Sequence, residues 1–422
     1  MTKGRYVRSG CGALIIAAGM ALAAPAMADD ALWIRQFGKS ATEYAYGVAT
    51  DADGNAIVVG TTTGGASAGS PKGLSDAFVI KFGPDHEVLW KRQPGSVSFD
   101  GARDVAADAN GNVFVVGYTR GQLAGSRKGN NDVFILKYDA DGKLLWKRQP
   151  GSRGSDIARR VATDAAGNAV VVGETSGALG GALKGRIDAF VIKYDADGRV
   201  LWKRQPGTVG QDYAEGVATD RAGNVYVIGS TTGALGGTNK GNFDAFVVKL
   251  DAEGRFLWKR QPGRRNGDLG VGIATDAAGN VYAVGTAQYP LYGGLGASDV
   301  VVIKFDGDGT VLWKRLLGTS YIDSASGIAV DAAGNVYVVG STNSLPSGLG
   351  TGPYRGFFAR LDADGKGTLR FLEASEKGDY PEGIAVDPAG NVYVAGWTLG
   401  KIGEFSRRPP DGYLAKYPHI VP

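Results

Sequence analysis

Residues 156–205 carry four short segments in succession: DIARRVATD (156–164), GNAVVVGET (167–175), DAFVIKY (188–194) and VLWKRQ (200–205). Each is rich in Val, Ile, Phe or Tyr and is bounded by Gly, Asn or Asp, the pattern of a β-strand between turns. The first two are joined through Asp164-Ala-Ala-Gly167-Asn168 and the last two through Asp195-Ala-Asp197-Gly198, both tight hairpin chemistries. Between the second and third lies a glycine-rich stretch of more than ten residues, from Ser176 to Ile187. The segment therefore reads as one four-stranded antiparallel sheet.

The same unit recurs along the chain. The asparagine of its Gly-Asn pair stands at Asn55, Asn112, Asn168, Asn224, Asn280, Asn335 and Asn391, at intervals of 55 to 57 residues. A Leu-Trp marker recurs with its tryptophan at Trp33, Trp90, Trp146, Trp202, Trp258 and Trp313. Seven repeats of a four-stranded sheet predict an all-β fold, a seven-bladed β-propeller. The last unit contains NVYVAGW (391–397) and DGYLAKY (411–417) but no fourth strand, whereas Leu32-Trp33-Ile34-Arg35-Gln36 matches the fourth-strand pattern at the other terminus. The N-terminal strand is thus expected to complete blade seven, which removes two exposed sheet edges.

Residues 1–28 read as a secretory signal peptide. Lys3, Arg5 and Arg8 precede an apolar run through Leu14, Ile15, Ile16 and Leu22, and Ala26-Met27-Ala28 forms a cleavage site. Residues 29–422 are then a single propeller domain, exported to the periplasm, the cell surface or the medium, with no membrane span in the mature chain. The one cysteine, Cys11, and the three methionines all leave with the signal. That excludes a disulfide framework or a cysteine zinc site. The formal charge of +4 falls to +1 once the three basic residues of the signal are removed, so nothing in the charge balance argues for nucleic acid. The 68 glycines resolve into repeated turns and loops.

The recurring D-x-x-G-N-V-Y-V-x-G-x-T, then D-A-F-V-x-K-Y-D-x-x-G, then L-W resembles the bacterial SBBP, or seven-bladed β-propeller, repeat over residues 31–417. Departures lie in blades five and six, where Leu316-Leu317 replaces Gln-Pro and Leu369-Arg370 replaces Leu-Trp. The resemblance implies an exported propeller, often part of a surface protein, and brings no agreed catalytic residues.

In such a fold the second-to-third loops and the blade-to-blade links share one face, where ligand binding is expected. An acidic residue opens each first strand: Glu43, Asp100, Asp156, Asp212, Asp268, Asp323 and Asp379. Ringed around the channel mouth, these carboxylates suit a hard cation such as calcium; as a repeated structural device, they accept hydrogen bonds between blades. Otherwise no cofactor is expected. The D-x-D-G turns, as at Asp51–Gly54, lack the later carboxylate of a calcium loop. Lys-Arg pairs such as Lys203-Arg204 fall on the outermost strands, either as a grip for polyanions or as protection of sheet edges.

Asymmetry is the better guide to a ligand site. Tyr289, Tyr292, Tyr354 and Trp397 lie in or near the long loops of blades five to seven, with Tyr321 and Tyr380 toward the channel side. Such rings suit sugars or peptides, and they also suit packing of the loops themselves. His86 and His419 are far apart, which argues against a Ser-His-Asp triad. The expected function is a monomeric, non-enzymatic binding or scaffold protein whose partner is a protein or glycan of the cell envelope. The alternative is a propeller enzyme acting on glycans through paired carboxylates, or a quinoprotein-like dehydrogenase.

Overall fold

The computed structural model describes residues 31–38, 41–65, 71–264, 266–288, 297–345, 350–372, 375–402 and 410–418. The expected signal segment, Tyr289, Tyr292 and His419 lie outside them. The described residues form seven four-stranded antiparallel sheets and no helix. None therefore contains a helix long and apolar enough to cross a membrane.

In six sheets the strands follow chain order from the channel outward. The seventh is closed as the sequence predicts: Trp33–Phe37 pairs antiparallel with Asp411–Tyr417, which pairs with Val392–Thr398 and then Asp379–Val386. Trp33 stands opposite Lys416, and Phe37 opposite Gly412.

The second and third strands of each blade do not alternate polar and apolar residues. In blade three every residue of Ala169–Thr175 and of Asp188–Tyr194 is buried. Both faces of each sheet are covered by neighbouring blades, so both must be apolar. Val170, Val172 and Val191 of blade three accordingly pack into one cluster with Ala214, Val227 and Phe246 of blade four.

Side chains from the outer strands clasp the next blade. Trp202 Nε1 donates to the Ala252 carbonyl at 2.8 Å, and Arg204 Nε donates to the Gly254 carbonyl at 2.6 Å. Gly254 has a φ of +78°, and a Cβ there would meet the Trp202 ring at 2.7 Å, so glycine is required twice over. Lys193, buried on the third strand, pairs with Asp164 at 2.8 Å. The Lys-Arg pairs thus contribute their arginines to blade-to-blade contacts. Asp164, for its part, accepts from the backbone N–H groups of Ala166 and Asn168, which makes its turn self-contained.

Each innermost strand carries a β-bulge at the same place. In blade three Ala158 pairs with Gly173 and Arg160 with Val172, leaving Arg159 unpaired. The equivalent bulges leave Tyr46, Arg103, Glu215, Val271, Ser326 and Glu382 unpaired. A bulge bends its strand and re-aims the extra side chain. Here the unpaired Tyr46, Ser326 and Glu382 reach the axial cavity, whereas blades two to five turn the following residue to it: Asp104, Arg160, Gly216 and Gly272.

Candidate functional site at the channel mouth

The axis holds a cavity of about 170 Å³ lined from all seven blades, including Tyr46, Asp104, Arg160, Gly216, Gly272, Ser326 and Glu382. Two residues before each bulge, another inner-strand residue faces a partner on the second strand. The register pairs are Tyr44 with Thr61, Gly101 with Tyr118, Ile157 with Glu174, Tyr213 with Ser230, Leu269 with Thr286, Ser324 with Ser341, and Tyr380 with Trp397. Around these pairs the backbone repeats while the side chains do not.

An aromatic wall occupies the sector where the chain closes. Tyr380 stacks on Trp397 with ring centroids 4.0 Å apart and planes 12° apart. Tyr354 approaches Tyr380 at 5.8 Å, and Tyr44 meets Trp397 edge-on at 5.2 Å. Tyr44 in turn stacks with Tyr46 at 6.1 Å. All five rings are half-buried, neither sealed in the core nor free in solvent. Trp397 Nε1 donates to Glu382 Oε1 at 3.0 Å, which fixes the indole edge.

Charged groups from blades two to four continue the lining. The Arg103 guanidinium lies over the rings of Tyr46, at 4.5 Å, and Tyr118, at 5.3 Å. Arg159 donates twice to Glu174, through Nε and Nη2, at 2.8 Å each, and Glu215 lies 3.9 Å away. Desolvation opposes the charge on Arg159, but the two glutamates outweigh it and hold its pKa above the ordinary value. Desolvation raises the carboxyls of Glu382 and Glu174 above the usual range against the pull of nearby arginines. It pushes Asp104 up to about 6, although Val161 N–H and Arg160 favour its charged form. To the same ring blade five offers only Leu269, Thr286 and Val271, and blade six, besides Tyr354, only serines.

The acidic ring expected at the channel mouth does not open onto it. Glu43, Asp100, Asp156, Asp212, Asp323 and Asp379 are buried within their blades, and Asp268 is half-buried. Asp156 shows the reason: it accepts from Ser152 N–H at 2.6 Å, from the Ser152 hydroxyl and from the Thr175 hydroxyl. The carboxylate ties the incoming link to the first two strands, and one such knot per blade leaves the groups apart. Among the described residues no cluster of three or more His, Cys, Asp or Glu is placed to share a metal ion. His86 occupies a turn at φ +62° with its ring against Trp33.

Of the aromatic residues singled out in the sequence, the fold brings Tyr354, Tyr380 and Trp397 into contact. It adds Tyr44, Tyr46, Arg103, Glu174 and Glu382, which sequence reasoning missed. The signal was present as variation inside the repeat: the residue after the Gly on each second strand, and the fourth residue of each first strand, change while most of their neighbours recur.

Three stretches, residues 201–237, 312–345 and 368–404, match the family model of SBBP, a beta-propeller repeat. The chain carries SBBP repeats. Regulatory protein FlaEY of Caulobacter vibrioides is 25% identical over 64% of this chain and 33% of its own length. The uncharacterized WD repeat-containing protein L264 of Acanthamoeba polyphaga mimivirus is 19% identical over 76% of this chain and 31% of its own. The chain spans about a third of the length of these curated relatives. Among solved structures, a PL25 ulvan lyase, a polysaccharide lyase bound to a GlcA–Rha3S saccharide, is similar with a TM-score of 0.51 at 12% identity, covering 91% of this chain and 96% of that one. At that identity the likeness is one of fold.

Proposed function

We propose that this SBBP-repeat propeller is an exported, non-enzymatic binding protein that holds a saccharide of the cell envelope at its channel mouth. The observation that carries the reading is the wall of Tyr44, Tyr354, Tyr380 and Trp397 confined to one sector of the ring. Rigid rings with polar tips stack on the apolar faces of sugar rings, while Glu382, Arg103 and the tyrosine hydroxyls supply hydrogen bonds to their edges. Opposite, blade four offers only Tyr213 packed against Phe243, without a stacked indole, so a ligand would sit off the axis. Titration calorimetry after a glycan-array screen of the purified protein tests this. Trp397→Ala is expected to weaken binding of the array hit by roughly tenfold or more, and unchanged affinity would sink the proposal.

A second reading, glycan cleavage, is favoured by one observation: two carboxyls lining the same cavity, Asp104 and Glu382, are both held toward the protonated form by desolvation. A general acid needs that bias. The ulvan lyase with a similar fold acts on a polysaccharide, but a shared propeller does not transfer an activity. Release of shortened products from the array hit, abolished by Asp104→Asn, would favour cleavage over binding.

A further inference from the structure

We propose that Arg103 makes the channel-mouth site selective for acidic saccharides, pairing with a carboxylate or sulfate on the sugar held by the aromatic wall. This rests on the saccharide-binding reading above and names the chemistry of the ligand.

Three arginines come from neighbouring bulges, and they differ in how they are satisfied. Arg159 is engaged by both oxygens of Glu174. Arg160 donates to the Arg159 carbonyl at 3.1 Å and acts on Asp104 and Glu382 through space. Arg103 packs on aromatic faces, hydrogen-bonds the Tyr46 side chain and acts on Glu174 and Glu382 only through space. Its guanidinium is over Tyr46 and Tyr118, its Nε is buried without a hydrogen-bond acceptor, and among the described residues no carboxylate lies within 4.0 Å of it. Glu382, whose pKa its charge lowers, has an oxygen taken by the Trp397 indole.

A planar guanidinium fixed by two rings has lost most of the freedom it would otherwise give up on binding. Its remaining donors form a fork whose spacing matches the two oxygens of a carboxylate or sulfate. The stack on Tyr46 puts that fork beside the aromatic wall, because Tyr46 also stacks on Tyr44 and Tyr44 meets Trp397. A sugar ring lying on the wall would carry an anionic substituent toward Arg103.

The experiment is titration calorimetry with three oligosaccharides of equal length: cello-oligosaccharide as the neutral probe, oligogalacturonate as the carboxylate probe, and a sulfated cello-oligosaccharide as the sulfate probe. The wild-type protein is expected to bind at least one acidic probe about ten- to a hundredfold tighter than the neutral one. Arg103→Gln should erase that ratio, whatever it does to neutral affinity, and Arg103→Lys should restore part of it as a point charge without the fork. Whichever acidic probe binds tighter identifies the anion. An acid-to-neutral ratio unchanged in Arg103→Gln, or a wild-type preference for the neutral probe, overturns the inference. Trp397→Ala separates the two levels. If it weakens all probes while Arg103→Gln leaves the ratio intact, only the role of Arg103 falls; if it changes none of them, the saccharide site falls as well. A circular-dichroism melt of each variant confirms that the propeller is folded.

Discussion

Glu43 sits at the seam where the propeller closes, and its burial makes a specific prediction about pH. Its backbone N–H donates to the Pro410 carbonyl at 3.0 Å, joining blade one to the last strand of the chain. Thr62 donates to Oε1 at 2.9 Å, but Oε2 is buried without a partner and Asp411 adds like-charge repulsion. Desolvation, the largest effect, pushes the pKa from 4.5 to about 7 despite the Thr62 hydrogen bond. Because the folded value is raised, the protonated side chain stabilises the fold fully below pH 4.5, and this contribution is lost as pH rises through about 7. The full difference corresponds to about 3 kcal/mol, a ceiling that relaxation of the seam would reduce. Glu43→Gln keeps the shape and the acceptor for Thr62 while removing the titration. Urea unfolding of both proteins at about pH 5 and about pH 8 is expected to show near-equal stability at the lower pH, with the variant ahead by about 2–3 kcal/mol at the higher. Other raised carboxyls, such as Asp104, titrate equally in both proteins and cancel in the comparison. An identical difference at the two pH values would refute the reasoning.

Two further substitutions test the architecture. Gly173→Ala would place a Cβ inside contact distance of the Ile157 carbonyl and 3.0 Å from the Ala158 Cα, opposite the bulge; a loss of more than about 2 kcal/mol is expected by denaturant unfolding, and a near-neutral result would show that the bulge is not rigidly held. Lys193→Met removes the buried ion pair but leaves Asp164 its bonds from Ala166 and Asn168, and should cost about 1–3 kcal/mol, with Lys193→Met/Asp164→Asn recovering part of it in the same assay.

The blade pattern was legible because its chemistry is local. Each Asp-x-x-Gly-Asn turn closes on its own carboxylate, as Asp164 does on Asn168, and each outer tryptophan finds a carbonyl in the next turn about fifty residues on. Contacts between successive repeats therefore leave a periodic trace. The acidic residue opening each blade was equally visible, yet its position was misplaced at the channel mouth. Periodicity shows that Asp156 recurs; the direction of its side chain depends on Ser152 and Thr175 folding over it. The aromatic site was partly legible, since Trp397 and Tyr380 break the repeat, whereas Arg103 and Glu382 read as ordinary strand residues.

By itself the sequence determined the number of blades, the four strands in each and the N-terminal strand that completes the seventh. Those features follow from hydrogen-bonding and burial patterns repeated every 55 to 57 residues. Only the tertiary structure decided which side chains face the axis. A one-residue bulge shifts the side-chain alternation of every inner strand, which puts Tyr46, Asp104 and Glu382 on the axial cavity and lays Arg103 over the Tyr46 ring. Ring closure then sets blade one against blade seven, so that Tyr44 meets Trp397 across more than three hundred residues of chain. Strand periodicity alone encodes neither event, because one inverts the alternation it relies on and the other joins its two ends.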